Sequence, residues 1–266
     1  MTKNEICLCG LATVRARFSR DAKSIYRLFF DYETGRKVGG MCKALAGMRK
    51  IYRCVEPAEL EKIAGTVHHG GIVAVVAALK LSAPSAADIR AWAARRAPVL
   101  LLDRIGNAHN LGAIARSAAF FGVEHIVIPA HPDAALPSEA AHRVAEGGLE
   151  HVAVWRVPDL AGFGRELGAA GYEVVGAAVA GGQRSEAGGQ RSGARGQRPE
   201  VGGRRPIALV LGNEEQGLAP EMAAACTWLT TIPGSGRVES LNVSAAAAVL
   251  LHDLLTGGSR ASSRHE

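Results

Sequence analysis

From Pro98 onward the chain alternates short, unbroken apolar runs with helix-length segments, and this pattern restricts the possible folds more than any other feature. The runs are "VLLLDRI", "EHIVIPA", "HVAVWRV", "YEVVGAAVA", "PIALVLG" and "WLTTIPG"; between them lie "NLGAIARSAAFFG", "SEAAHRVAEGG", "DLAGFGRELGAAG" and "APEMAAAC", with a last helix from about Asn242. A strand with one wet face alternates apolar and polar residues, whereas a strand covered on both faces reads as continuous Val, Ile and Leu. The expectation is a mostly parallel α/β sheet with helices on both sides. Such sheets bind ligands beyond the carboxyl ends of their strands, so the loops after "VLLLDRI", "PIALVLG" and "WLTTIPG" become one candidate site.

The first 80 residues follow a looser pattern: "ATVRARFSR" and "GGMCKALAGMRK" read as helices, "SIYRLFFD" and "IYRCVE" as strands. "PAELEKIAG" then begins a helix with Pro at its first position, and "GGIVAVVAAL" is a buried strand. The resulting division is a small α/β domain over 1–80, a linker over 81–97 opened by "LSAPSAAD", and a second domain over 98–256. Within it, the Gly/Arg-rich stretch 181–205 is expected to be a disordered insertion, and 257–266 a flexible tail. Charge divides the same way. Residues 1–80 carry 14 basic and 7 acidic side chains, whereas residues 206–256 carry one basic and five acidic. The amino-terminal domain is thus the part suited to a polyanion.

Five cysteines form neither an even disulfide framework nor a C-x-x-C pair, so reduced thiols and no metal are expected. No apolar run approaches the roughly 20 residues that span a bilayer, and the start lacks a secretory signal, which makes a cytoplasmic protein the expectation.

Three segments at the predicted sheet edge contain more than turn residues: "RIGNAHNLGAIARSA", "LVLGNEEQGLAPE" and "IPGSGRVESLNVSAAAAVLLHDLL". In the first, Asn110 is expected to cap a helix buried through Leu111, Ile114, Ala115, Ala118 and Phe121, with Arg116 pointing away from the core. No G-x-x-x-x-G-K-[ST] phosphate loop occurs, and "GSGRVE" supplies only two glycines of a dinucleotide fingerprint. Loops that are acidic and lack a phosphate cradle suit an uncharged nucleoside on a cationic ligand better than a triphosphate.

These three segments, in this order, resemble motifs 1, 2 and 3 of the SpoU (TrmH-like) branch of the SPOUT RNA methyltransferases. The resemblance covers about residues 98–256. The amino-terminal part, with "GTVHHGGIVAVV", is similar to the L30e-like RNA-binding domain of many members, especially YfiF-like ones. What the resemblance implies is a SPOUT α/β domain with a deep trefoil knot, a homodimer, and methyl transfer from S-adenosylmethionine to a ribose 2′-hydroxyl of ribosomal or transfer RNA. It assigns Gly212, Ile232 and Leu241 to the cofactor, and Asn110, Arg116, Glu214, Ser240 and Asn242 to catalysis or substrate positioning. Gly234 stands where many relatives have Met, and Glu215 where they often have Gly.

The residue types suit that chemistry. The sulfonium methyl is already electrophilic, and the difficult partner is a weakly acidic hydroxyl. A guanidinium has no acceptor lone pair at neutral pH, so Arg116 is read as an electrostatic stabiliser of phosphate and developing alkoxide, with base function left open. Asn110 and Asn242 each donate and accept. Two other readings stand beside this one: a non-catalytic RNA-binding or assembly factor, against which the five motif residues count, and a SPOUT base-nitrogen methyltransferase, against which "SLNVS" counts.

Overall fold

The computed structural model describes residues 5–178 and 205–256; the expected insertion, apart from Arg205, and the tail 257–266 lie outside them. Two sheets organise the chain. The first contains β1 (Glu5–Cys9), β2 (Ile25–Phe30), β3 (Ile51–Cys54) and β4 (Ile72–Ala77) in the order β1-β4-β2-β3. α1 (Leu11–Asp21), a 3-10 turn (Ala22–Ser24), α2 (Tyr32–Gly35), α3 (Gly39–Gly47) and α4 (Pro57–Ala64) connect them. β4 runs antiparallel to both β1 and β2, and β3 runs parallel to β2. α4 begins with Pro57 in its first turn and ends at Gly65, whose φ of 64° is left-handed.

β1 is short and was not among the expected strands. It explains Cys7-x-Cys9, because a two-residue spacing puts both thiols on one strand face, where they pack against Leu60 and Ala64 of α4. Burial pushes the Cys7 thiol up to about 12 and that of Cys9 up to about 11, which leaves them as small apolar core groups.

The second sheet contains β5 (Val99–Leu102), β6 (His125–Pro129), β7 (Ala153–Val157), β8 (Glu173–Ala177), β9 (Ile207–Leu211) and β10 (Trp228–Thr230) in the order β10-β8-β9-β5-β6-β7. Every neighbouring pair is parallel. Its helices are α5 (Ala86–Ala94), α6 (Ala108–Phe120), α7 (Glu139–Ala145), α8 (Leu160–Ala169), α9 (Pro220–Ala225) and α10 (Val243–Thr256), with a 3-10 turn over Gly148–Glu150. Leu100, Leu102, Ile126 and Leu209 face Leu111 and Ile114 of α6 and Ala247 and Leu250 of α10. Val99, Leu101, Val127 and Val210 face Phe163 and Leu167 of α8 and Met222 of α9. Both faces are covered, which is why the central strands β5 and β9 read as unbroken apolar runs, whereas the edge strands β7 and β10 include Arg156 and Thr230.

The segment expected as a linker carries α5, and α5 is part of this second core. Ile89 and Trp92 are buried with Val99 and Phe163, and the Trp92 ring stacks on His125 at 4.1 Å. Ser85 and Asp88 close its start with a reciprocal capping box.

α1 docks the first sheet onto the second. Arg17 Nε lies 2.8 Å from Glu150 Oε2, and its Nη2 donates to Oε1 at 3.0 Å. Arg20 donates to the Glu150 carbonyl at 2.7 Å, and Glu139 accepts from the Cys7 backbone N–H at 2.6 Å. Gly147 lies against α1: a Cβ there would meet Ala16 Cβ at 3.1 Å, and its φ of 92° favours glycine. No described helix is long and apolar enough to cross a membrane.

Candidate active site

The carboxyl ends of β5, β9 and β10 deliver the segments 103–107, 212–219 and 231–242 to one edge of the second sheet. Asn107, three residues earlier than expected, caps α6; its Oδ1 accepts from the His109 N–H at 2.8 Å. Asn110 instead lies in the first turn, which frees its amide for longer-range bonding. The cap signal in "GNAHN" is a matter of register, since two asparagines compete for it.

Three motif residues meet through side-chain hydrogen bonds. The Asn110 Nδ2 donates to Glu214 Oε1. Asn242 Nδ2 donates to Asn110 Oδ1 at 3.2 Å. Asn242 also starts α10: its Oδ1 accepts from the Ser244 backbone N–H at 2.9 Å and from Ser244 Oγ at 2.6 Å. Residues 104 and 132 positions apart in sequence are thus joined at the sheet edge. Glu214, and not its neighbour Glu215, faces Asn110; Glu215 contributes its backbone N–H to Asn213 Oδ1 at 2.9 Å.

Arg116 lies outside this chain of bonds. It sits six residues further along α6, roughly 9 Å along the helix axis, and its Nη2 meets Glu146 Oε2 at 3.0 Å on the surface. As expected, it points away from the core. Ser240 is exposed in the loop before α10.

The residues expected to hold the cofactor occupy the loops themselves. A Cβ on Gly212 would meet Gly217 carbonyl carbon at 2.4 Å and Leu218 N at 2.6 Å, so the loop closes tightly only because that position is glycine. Asn213 and Gly217 exchange backbone hydrogen bonds across it, at 3.0 and 2.9 Å. Ile232 is half-buried against the core shared with α6 and α10, and Leu241 is 48% exposed. Among the described residues, no backbone–backbone hydrogen bond involves 232–241. Apart from the Arg237 N–H, which donates to Ser235 Oγ at 3.4 Å, that loop therefore offers open peptide groups beside apolar side chains, a donor and acceptor set that fits an adenosine.

Two residues near the end of the run "VLLLDRI" join the site without having been singled out as candidates, although Arg104 opens the first motif segment. Asp103 is buried and accepts from the Ala219 N–H through Oδ2 at 2.6 Å, while its own N–H donates to the Leu211 carbonyl at 2.8 Å. Arg104, with a left-handed φ of 58°, donates to Asp103 Oδ1 at 3.1 Å and to Gln216 Oε1 at 3.0 Å, and its carbonyl accepts from Asn213 at 3.0 Å. Together they stitch the segment after β5 to the loop after β9. The signal was a charged pair closing a four-residue apolar run.

Two family profiles divide the chain as its two sheets do. The SpoU rRNA Methylase family profile matches residues 97–252, and an RNA 2′-O ribose methyltransferase substrate-binding profile matches residues 7–82. The chain is 34% identical over 260 residues to a 23S rRNA (guanosine-2′-O-)-methyltransferase RlmB of Ralstonia nicotianae, covering 95% of this chain and 96% of that one. It is 32% identical over 246 residues to an uncharacterized tRNA/rRNA methyltransferase, YfiF, of Escherichia coli O157:H7, covering 91% of this chain but 65% of that one. Among solved structures, the fold matches AviRb of Streptomyces viridochromogenes, solved with AdoMet, at a TM-score of 0.69 and 22% identity, over 96% of this chain and 91% of that one. An AdoMet-bound rRNA methyltransferase of Sinorhizobium meliloti matches at 0.68 and 23%, over 94% and 87%.

Proposed function

Because the chain belongs to the SpoU rRNA Methylase family, we propose that it transfers a methyl group from S-adenosylmethionine to a ribose 2′-hydroxyl of RNA, and that the RNA is ribosomal, as in its full-length relatives. The observation that supports this reading most directly is the joining of motif residues Asn110, Glu214 and Asn242 at one sheet edge, beside a loop of open peptide groups.

The bound cofactor supplies an electrophilic methyl group on a sulfonium centre. Gly212, Ile232 and Leu241 hold its adenosine, and the acidic balance of 206–256 favours its positive charge. The Asn110–Glu214–Asn242 chain fixes the loops against each other, with Ser240 at the mouth of the site. Arg116 engages an RNA phosphate and stabilises charge developing on the ribose oxygen, while a phosphate oxygen or solvent accepts the proton. To do so it exchanges its exposed contact with Glu146 for the RNA, a cheap exchange at a solvated surface.

The reading extends to the assembly. Residues 1–80 bind the substrate RNA, 98–256 form the knotted catalytic domain, and two copies associate in the cytoplasm through α6 and α10. In favour of self-association, Phe120 is 83% exposed and Val249 also lies open, next to the paired Phe121 and His252 rings.

Arg116→Ala is expected to lower methyl transfer to total RNA by about a hundredfold to a thousandfold, with S-adenosylmethionine binding by calorimetry unchanged. Loss of both, or of neither, contradicts the role given to Arg116.

A further inference from the structure

The amino-terminal sheet has one edge whose chemistry the site above does not use. Residues 34–55 contain six basic side chains and no acidic one. They run through α3 into β3, an edge strand paired only with β2 among the described residues. All four residues of β3 are exposed. Ile51 is 55% exposed and Tyr52 40%, and Tyr26 on the adjoining β2 is 42% exposed. The Lys50 ammonium lies 5.3 Å from the centre of the Tyr26 ring.

Charge on an edge strand ordinarily discourages pairing with another chain. That accounts for Lys50 and Arg53. It does not account for Ile51 and two tyrosines, which by themselves would invite such pairing. Arg53 turns to the other face of the strand, where it meets Glu59 of α4 at 3.9 Å, but a cation set beside exposed rings, as Lys50 is beside Tyr26 with Tyr52 two residues on, is what a single strand of nucleic acid requires: cations follow the phosphates while bases stack on the rings.

We infer that the β2–β3 edge, through Tyr26, Lys50 and Tyr52, is the surface on which this protein takes single-stranded RNA. The inference rests on the RNA methyltransferase reading and sharpens it by naming a face. A duplex hides its base faces and would leave the rings unused.

The test uses the full chain and a labelled oligouridylate of about ten nucleotides, within the site size of such surfaces. Tyr52→Ala is expected to weaken binding about tenfold, with Tyr52→Phe restoring it. Lys50→Ala is expected to reduce the slope of log affinity against log salt by about 0.7, one phosphate contact on a single strand. Lys62→Ala on α4 should leave both quantities unchanged. Wild-type binding and slope in the edge variants overturn the assignment, as does equal loss of duplex and single-strand binding in Tyr52→Ala. Methylation of total RNA by the unaltered protein is measured alongside. Its absence would count against the enzymatic reading, whereas its presence with unaffected edge variants would count against the edge alone.

Discussion

Arg17 and Glu150 meet at 2.8 Å with side chains 9% and 0% exposed; Arg116 and Glu146 meet at 3.0 Å with side chains 58% and 56% exposed. The two contacts are nearly equal in length and opposite in surroundings. The first holds α1 against the turn before β7, so it joins the two sheets. The second sits on the open surface of α6, beside a proposed catalytic arginine. Distance alone would rank them together, yet water decides what each one does. Breaking a buried pair strands a charge, whereas breaking an exposed one returns two ions to solvent. A joint between domains needs the first kind. An arginine that must change partners needs the second.

The largest effect should come from the buried pair. Arg17→Ala leaves Glu150 without its guanidinium and is expected to lower stability by about 3–5 kcal/mol, read as a shift of the urea midpoint. Replacing both partners with apolar residues, Arg17→Met with Glu150→Leu, should recover most of that loss. If it does not, the pair contributes more than compensation for its own burial.

The next effect is a pH dependence in the same pocket. The His142 ring lies 3.6 Å from Glu150 with no exposed side-chain surface, and burial, then Arg17, pushes its pKa from 6.5 down to about 4. At neutral pH it is therefore uncharged and forms no ion pair with Glu150. Below pH 6.5 the unfolded chain takes up a proton that the folded chain refuses, so this histidine makes stability fall as pH drops towards about 4. The slope is at most about 1.4 kcal/mol per pH unit. Burial raises the Glu150 carboxyl, which works in the opposite sense above its ordinary value of 4.5. Comparing the wild type with His142→Gln across this range isolates the histidine, and an unaltered slope would show that it does not titrate as described.

The smallest effect belongs to the exposed pair. Glu146→Gln is expected to change stability by no more than about 0.5 kcal/mol, measured by thermal melting. RNA affinity should rise modestly in filter binding, because Arg116 loses a competing carboxylate. A large loss of stability would erase the contrast between the two pairs.

Much of the second sheet was legible because burial on both faces leaves a mark on composition: the central strands β5 and β9 are unbroken apolar runs, and their neighbours β6 and β8 depart from that only at a first residue, His125 or Glu173. Its order was not, since β9 inserts between β8 and β5 through contacts far apart in sequence. The helical, basic "IRAWAARRAP" reads as part of the connector because three arginines sit among its ten residues, whereas two residues, Ile89 and Trp92, suffice to bury one face. β1 was hidden by its five-residue length and by a C-x-C spacing that reads as chemistry. At the site, motif resemblance identified Asn110, Glu214 and Asn242 without showing that they touch. The cap at Asn107 was hidden because two asparagines compete for it in "GNAHN", and the charged pair after β5 marked Asp103 and Arg104 without showing that they stitch two loops together.

The chain of amides at the site also has a direction. Ser244 occupies the carbonyl oxygen of Asn242 twice, so the Asn242 amide can only present its N–H side to Asn110. Asn110 must then answer with its oxygen and turn its own N–H towards Glu214. Each dipole is oriented by the one before it, as a row of magnets is aligned from one fixed end. The fixed end is a helix cap, and the far end is a carboxylate that follows it by hydrogen bonds alone. A serine with no assigned part in the chemistry therefore determines which way the polar groups of the site face.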